Sequence, residues 1–129
     1  MRVITFGTFD LFHIGHLRIL ERAKNEGNYL IVGVSSDVLN VKKGKKSVFS
    51  LEERLAIVKA LKCVDEVFVE EALELKDEYV KKYNADLLIM GDDWAGKFDW
   101  VSCRVKYLER TPNISTTYLK NNIAEVYKT

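Results

Sequence analysis

The chain has 129 residues but a single proline, only two cysteines and only two methionines. One proline argues against a long disordered linker. Cys63 and Cys103 form no Cys-x-x-Cys pair, and a reduced, cytoplasmic compartment is the expected setting. No apolar run approaches the length of a membrane span. The N-terminus enters a strand directly and carries Asp10, so no signal peptide is expected. An excess of one charge is also missing: 20 Lys and Arg stand against 19 Asp and Glu, for a net +1, which excludes a general polyanion-binding role and gives no footing for nucleic acid. Neither a Walker A loop nor a Gly-x-Gly-x-x-Gly fingerprint occurs, which removes the two commonest nucleotide-binding designs.

What is present is ordinary for a globular chain, with 47% hydrophobic and 30% charged residues. The length suits one domain over residues 1–129, large enough to bury roughly two thirds of its unfolded surface. Apolar runs at Val3–Phe6, Tyr29–Val34, Glu66–Val69, Ala85–Gly91 and Arg104–Leu108 read as strands, several without alternation, as in strands covered on both faces. Between them, Ile14–Glu26 reads as a helix with Leu17, Leu20 and Ala23 inward, ended by Gly27-Asn28. Residues 38–49 read as a lysine-rich loop. Ser50-Leu51-Glu52-Glu53 has capping-box form and opens a helix with Leu51, Leu55, Val58 and Leu61 inward. Glu74–Tyr83 and Ser115–Tyr127 are further helices, and Phe98–Cys103 is ambiguous. Alternating strands and helices predict an α/β fold, a three-layer α/β/α sandwich on a parallel sheet of about five strands.

The most informative stretch follows the first strand: Gly7-Thr8-Phe9-Asp10-Leu11-Phe12-His13-Ile14-Gly15-His16. It holds both histidines, three residues apart and therefore on one face of the first helical turn. A helix N-terminus offers unpaired N–H groups and a positive dipole end, both attractive to phosphate. The same dipole disfavours imidazolium, so neutral rings that donate to phosphate oxygens are expected. The plainer reading has His13 capping a turn, His16 packing on the sheet and Gly15 serving close packing. The agreement of turn, glycine, paired histidines and strand context favours a phosphate site.

Three other clusters stand out. Lys42-Lys43-Gly44-Lys45-Lys46 is equally consistent with a solvated loop and with a mobile phosphate-binding loop. Arg54 lies on the helix behind it, able to reach the same anions or to form an exposed salt bridge. Asp92-Asp93 follows the fourth strand, where Asp93 can face a base, a ribose or a metal shell. Arg110 to Thr117 places a guanidinium beside hydroxyls at a second helix N-terminus; a simple Ser/Thr cap explains Ser115 but not Arg110.

Gly-Thr-Phe-Asp with His13-Ile14-Gly15-His16, followed much later by Arg110-Thr111-Pro112-Asn113-Ile114-Ser115-Thr116-Thr117, resembles the nucleotidyltransferase superfamily marked by His-x-Gly-His. Within it the chain resembles the glycerol-3-phosphate cytidylyltransferases, over nearly its whole length. That resemblance implies a Rossmann-like nucleotidyltransferase fold, transfer of CMP from CTP to a small phosphorylated acceptor, foremost sn-glycerol 3-phosphate, a Mg2+ cofactor and a homodimer. It gives catalytic roles to His13, His16, Lys43 and Arg110. It assigns the nucleotide to Gly7, Thr8, Phe9, Asp10, Gly15, Lys45, Asp93, Arg110, Thr111, Ile114, Ser115 and Thr116, with Asp10 also orienting the site or a metal-bound water. The acceptor falls to Lys43 and Lys76, and no residue is assigned as a direct metal ligand. Two positions depart from the family: Asn113 stands where a glycine is usual and Lys62 where an arginine is expected. They keep open another acceptor (phosphoethanolamine, a sugar phosphate or an acyl phosphate) or ATP as donor. A nucleotide-binding domain without turnover is a third reading, against which intact His13, His16 and Arg110 argue.

Overall fold

The computed structural model describes residues 1–109 and 116–126. Arg110, Thr111, Ile114 and Ser115, with Asn113, lie outside the described residues. The elements in chain order are β1 (Arg2–Gly7), α1 (Ile14–Asn25), β2 (Tyr29–Ser35), α2 (Asp37–Lys42), α3 (Leu51–Lys59), β3 (Glu66–Glu70), α4 (Lys76–Lys82), β4 (Leu87–Gly91), β5 (Arg104–Leu108) and α5 (Thr116–Val126). All four strand pairings are parallel and the order is β3-β2-β1-β4-β5.

Side chains alternate across the sheet and build two cores. Val3 of β1 packs with Leu20 and Ala23 of α1 and Val58 of α3, whereas its neighbour Ile4, with Phe6, packs with Val80 of α4, Phe98 and Val101. Helices therefore cover both faces, which gives the three-layer α/β/α arrangement and explains why the central strands lack alternation. Among the described residues no helix is long and apolar enough to cross a membrane.

Three sequence expectations are corrected. Residues 37–42 are helical rather than loop: Ser36 caps α2 by accepting from the Leu39 N–H, and only Leu39 and Asn40 are buried, so the apolar pattern that reveals longer helices is absent. Gly27 does not end α1 by a left-handed turn, since Glu26 caps it in right-handed geometry. The glycine is required because a Cβ there would lie 2.3 Å from the Met1 carbonyl oxygen. Arg54, finally, does not face solvent or line the cleft; it is fully buried, and the salt bridge expected of it is made from inside to the exposed Asp37.

Candidate active site

Where β1 ends, the chain turns through two non-glycine residues of positive φ, Phe9 at 54° and Leu11 at 47°. Such conformations cost about 1–3 kcal/mol each and persist only where their surroundings hold them. Phe9 is held by its ring, which lies so close over Gly7 that a Cβ there would come within 2.8 Å of it, and which meets the His16 ring edge-on at 5.5 Å. Asp10 holds the next position. Its two carboxylate oxygens accept from the Val48 and Phe49 N–H groups at 2.7 and 2.8 Å, and its carbonyl oxygen accepts from Thr116 Oγ1 at 2.8 Å. Burial alone would raise the Asp10 carboxyl pKa, but the Phe49 and Val48 donors, with Lys120 nearby, outweigh it and keep the group below its ordinary value.

The helix that follows is capped by its own histidines. His13 Nδ1 accepts from the Gly15 N–H at 3.0 Å, and His16 Nδ1 accepts from the His13 N–H at 3.2 Å, a reciprocal cap in which imidazoles replace the usual hydroxyl and carboxylate. The rings stack with centroids 3.8 Å apart. An Nδ1 that accepts a hydrogen bond carries no proton, so each neutral ring is assigned the tautomer with its proton on Nε2. Burial pushes the His16 pKa down to about 3, with the neighbouring His13 adding to the effect, and burial lowers that of His13 as well. The neutral rings expected from the sequence are thus present, with burial as the main cause. His13 Nε2 is buried and has no hydrogen-bond partner among the described residues. The capping role and the phosphate-donor role are compatible, because they use different ring nitrogens.

Gly7, Thr8, Phe9, Asp10, His13, Gly15 and His16 line a cleft of about 680 Å³, together with Lys45, Asp93 and Thr116. Lys46, Ser47, Thr117 and Lys120 complete its cationic and hydroxyl-bearing side. The lysine loop is anchored at both ends. Lys43 Nζ donates to Ser35 Oγ at 2.8 Å and to Thr8 Oγ1 at 3.3 Å, while Asn40 bridges Thr8 and Ser47. Lys43 is half-buried, and its pKa falls to about 8, mainly through burial and then through Lys45. Lys76 is not at the cleft wall: it is 1% exposed and paired with Glu70.

Arg54 organises the whole loop cluster from inside. Its guanidinium donates to the carbonyl oxygens of Thr8, Ser35 and Phe49 at 2.9, 2.7 and 3.2 Å and to Asp37 at 2.7 Å, tying β1, β2 and the lysine loop together. Helix periodicity gives no sign of this, since an arginine at that position ordinarily faces water. Lys120 was also missed by sequence reasoning. It lies four residues after Thr116 on the same face of α5, donates to the Lys46 carbonyl oxygen at 3.0 Å and stands 3.6 Å from Asp10.

Among the described residues no cluster of three or more His, Cys, Asp or Glu side chains is arranged to hold a metal ion. Asp10 is committed to backbone amides, which leaves Asp93 as an exposed carboxylate on the cleft wall. One free carboxylate fits a hard divalent cation carried on a polyphosphate, which keeps waters and phosphate oxygens as its other ligands.

Comparison with known proteins agrees with this fold. Residues 4–122 match the family model described as cytidylyltransferase-like. The chain is 50% identical to a glycerol-3-phosphate cytidylyltransferase of Bacillus spizizenii, covering 97% of this chain and 98% of that one. It is 44% identical to the protein of that name from Staphylococcus aureus, covering 95% and 94%. Among solved structures it superposes with a TM-score of 0.75 and 25% identity on a lipopolysaccharide core biosynthesis protein from Thermoplasma volcanium, over 86% of this chain and 98% of that one. A bifunctional NMN adenylyltransferase/ADP ribose pyrophosphatase from Francisella tularensis, complexed with AMP and a manganese ion, shares the fold at a TM-score of 0.64 and 20% identity, over 96% of this chain and 41% of that one. Fold and sequence likeness converge: this chain belongs to the cytidylyltransferase-like family, alongside the glycerol-3-phosphate cytidylyltransferases.

Proposed function

We propose that the protein transfers CMP from CTP to sn-glycerol 3-phosphate, giving CDP-glycerol and pyrophosphate. The observation that carries this reading is the pair of neutral imidazoles whose Nδ1 atoms are fixed by backbone N–H groups, which leaves the Nε2–H groups as donors at the cleft. An oxygen of the acceptor phosphate attacks the α-phosphorus of CTP, the bond from that phosphorus to the oxygen bridging to the β-phosphate breaks, and pyrophosphate leaves. The nucleophile is already an anion, so no residue has to remove a proton. What remains for the protein is alignment and stabilisation of developing charge.

His13 and His16 donate to the phosphate oxygens on which charge grows. Lys45 neutralises the triphosphate, and Lys43, with two of its three N–H donors used within the protein, offers the third to the acceptor phosphate. Arg110 grips phosphate as a bidentate donor, with Thr111, Ile114, Ser115 and Thr116 contacting the nucleotide. Asp93 would hold Mg2+ carried on the triphosphate, and the ion would supply further neutralisation of the phosphate charge. Balanced overall charge and the absence of any long apolar helix among the described residues agree with a cytoplasmic enzyme, and the family likeness supports a homodimer.

Pyrophosphate release tests the assignment, measured with Mg2+ for CTP, ATP, GTP and UTP against glycerol, ethanolamine, choline, sugar and acyl phosphates. Turnover confined to CTP with glycerol 3-phosphate is expected. Preference for another acceptor would keep the chemistry and move the substrate, and binding without turnover of any donor would overturn the proposal.

A further inference from the structure

Glu70, the last residue of β3, is a buried carboxylate that the chemistry above leaves unused. It is 1% exposed, and Oε2 pairs with Lys76 Nζ, itself 1% exposed. The Lys76 ammonium lies 4.0 Å from the centroid of Phe6, a cleft-lining residue, and 4.6 Å from that of Phe98. The other carboxylate oxygen, Oε1, accepts from Ser35 Oγ at 3.4 Å, and the same Oγ accepts from Lys43 Nζ at 2.8 Å. One carboxylate thus reaches two lysines, one directly and one through a hydroxyl. A buried ion pair adds little stability compared with apolar side chains of similar size, so stability alone is a weak reason for placing Glu70 and Lys76 here.

We propose that Glu70 is a positioning residue for the acceptor, setting the place of Lys76 by direct pairing and of Lys43 through Ser35. The proposal rests on the cytidylyl-transfer reading for its functional consequence, but not for the linkage itself. The Lys43 and Lys76 ammonium groups repel each other, and the Glu70 carboxylate linked to both holds them in place.

The charges facing Lys43 come from several elements. Burial and the charges of Lys45, Lys76 and Arg54 lower its pKa, and Glu70 opposes them. Removing the Glu70 charge therefore moves the Lys43 titration to lower pH, and with it the pH above which acceptor binding weakens. Loss of a charged hydrogen-bond network should raise KM for glycerol 3-phosphate by about tenfold or more.

The experiment compares wild type, Glu70→Gln, Glu70→Asp and Ser35→Ala. KM for each substrate is read across pH, and the Lys43 side-chain titration is followed by lysine-selective NMR assigned with Lys43→Arg. Expected are a raised acceptor KM with little change for CTP in Glu70→Gln and Ser35→Ala, a Lys43 titration at lower pH in Glu70→Gln, and recovery of that titration in Glu70→Asp. Should Glu70→Gln not fold, Ser35→Ala still cuts the link to Lys43 while leaving the Glu70–Lys76 pair whole, and its acceptor KM decides. An unmoved Lys43 titration, or substrate constants that rise equally for CTP and acceptor, would overturn the proposal. Wild-type protein inactive on every acceptor would instead sink the cytidylyl-transfer reading, and the NMR titration would still decide whether Glu70 governs Lys43.

Discussion

Arg54 and the two histidines show how much of this site depends on single side chains in unusual surroundings. A fully buried guanidinium that satisfies three carbonyl oxygens cannot be shortened without leaving those acceptors unpaired. Arg54→Ala should therefore cost about 3 kcal/mol or more and lower the unfolding midpoint by on the order of 10 °C, read by calorimetry. His16 titrates in the opposite sense to a stabilising salt bridge. Its pKa is about 3 in the folded protein against an ordinary 6.5, so the neutral ring's contribution is complete above about pH 6.5 and is lost as pH falls towards 3. Denaturant unfolding between those limits should show falling stability in the wild type and a shallower fall in His16→Leu. Lys43 acts at the other end of the scale: as pH rises through about 8 its ammonium loses charge, and affinity for a phosphorylated acceptor should decline while affinity for CTP changes less. Equal decline for both ligands would contradict the acceptor role.

At the level of elements, the site is a set of strand ends and helix starts locked together by backbone hydrogen bonds. Asp10 links the β1 turn to Val48 and Phe49, and Thr116 ties α5 to that turn. Replacing Asp10 by Ala should raise hydrogen exchange at the Val48 and Phe49 amides far more than at the core strands, and exchange unchanged at those amides would show the loop to be held otherwise. The strands, α1, α3, α4 and the histidine turn were legible because strand burial leaves uninterrupted apolar runs and because two histidines three apart are conspicuous. α2 was not, since a short helix with one buried apolar residue has no periodicity to read. Arg54, Glu70 and Lys120 were invisible as interior or cleft partners for a different reason: their environment is made by residues distant in sequence, and a charged residue on a helix or at a strand end looks the same whether solvent or a carbonyl oxygen meets it. Asp10, read as orienting the site or a metal-bound water, has both carboxylate oxygens taken by the Val48 and Phe49 amides, which is the first of those two roles.

Across the whole molecule, the parallel order β3-β2-β1-β4-β5 puts the carboxyl ends of β1, β2 and β4 on one edge, where Gly7, Ser35 and Gly91 close their strands. Ligands of open parallel sheets bind at that edge, and the cleft lies there. In the function proposed above, this cleft performs cytidylyl transfer with neutral imidazole donors rather than an acid–base pair. That function is tested most directly by pyrophosphate release from CTP and glycerol 3-phosphate by wild type and His16→Ala, with thermal unfolding of both recorded alongside. Expected are turnover by the wild type and a loss of about 3–4 kcal/mol of transition-state stabilisation, on the order of a hundredfold to a thousandfold in kcat/KM, in a variant that remains folded. Near-wild-type turnover by folded His16→Ala would contradict it.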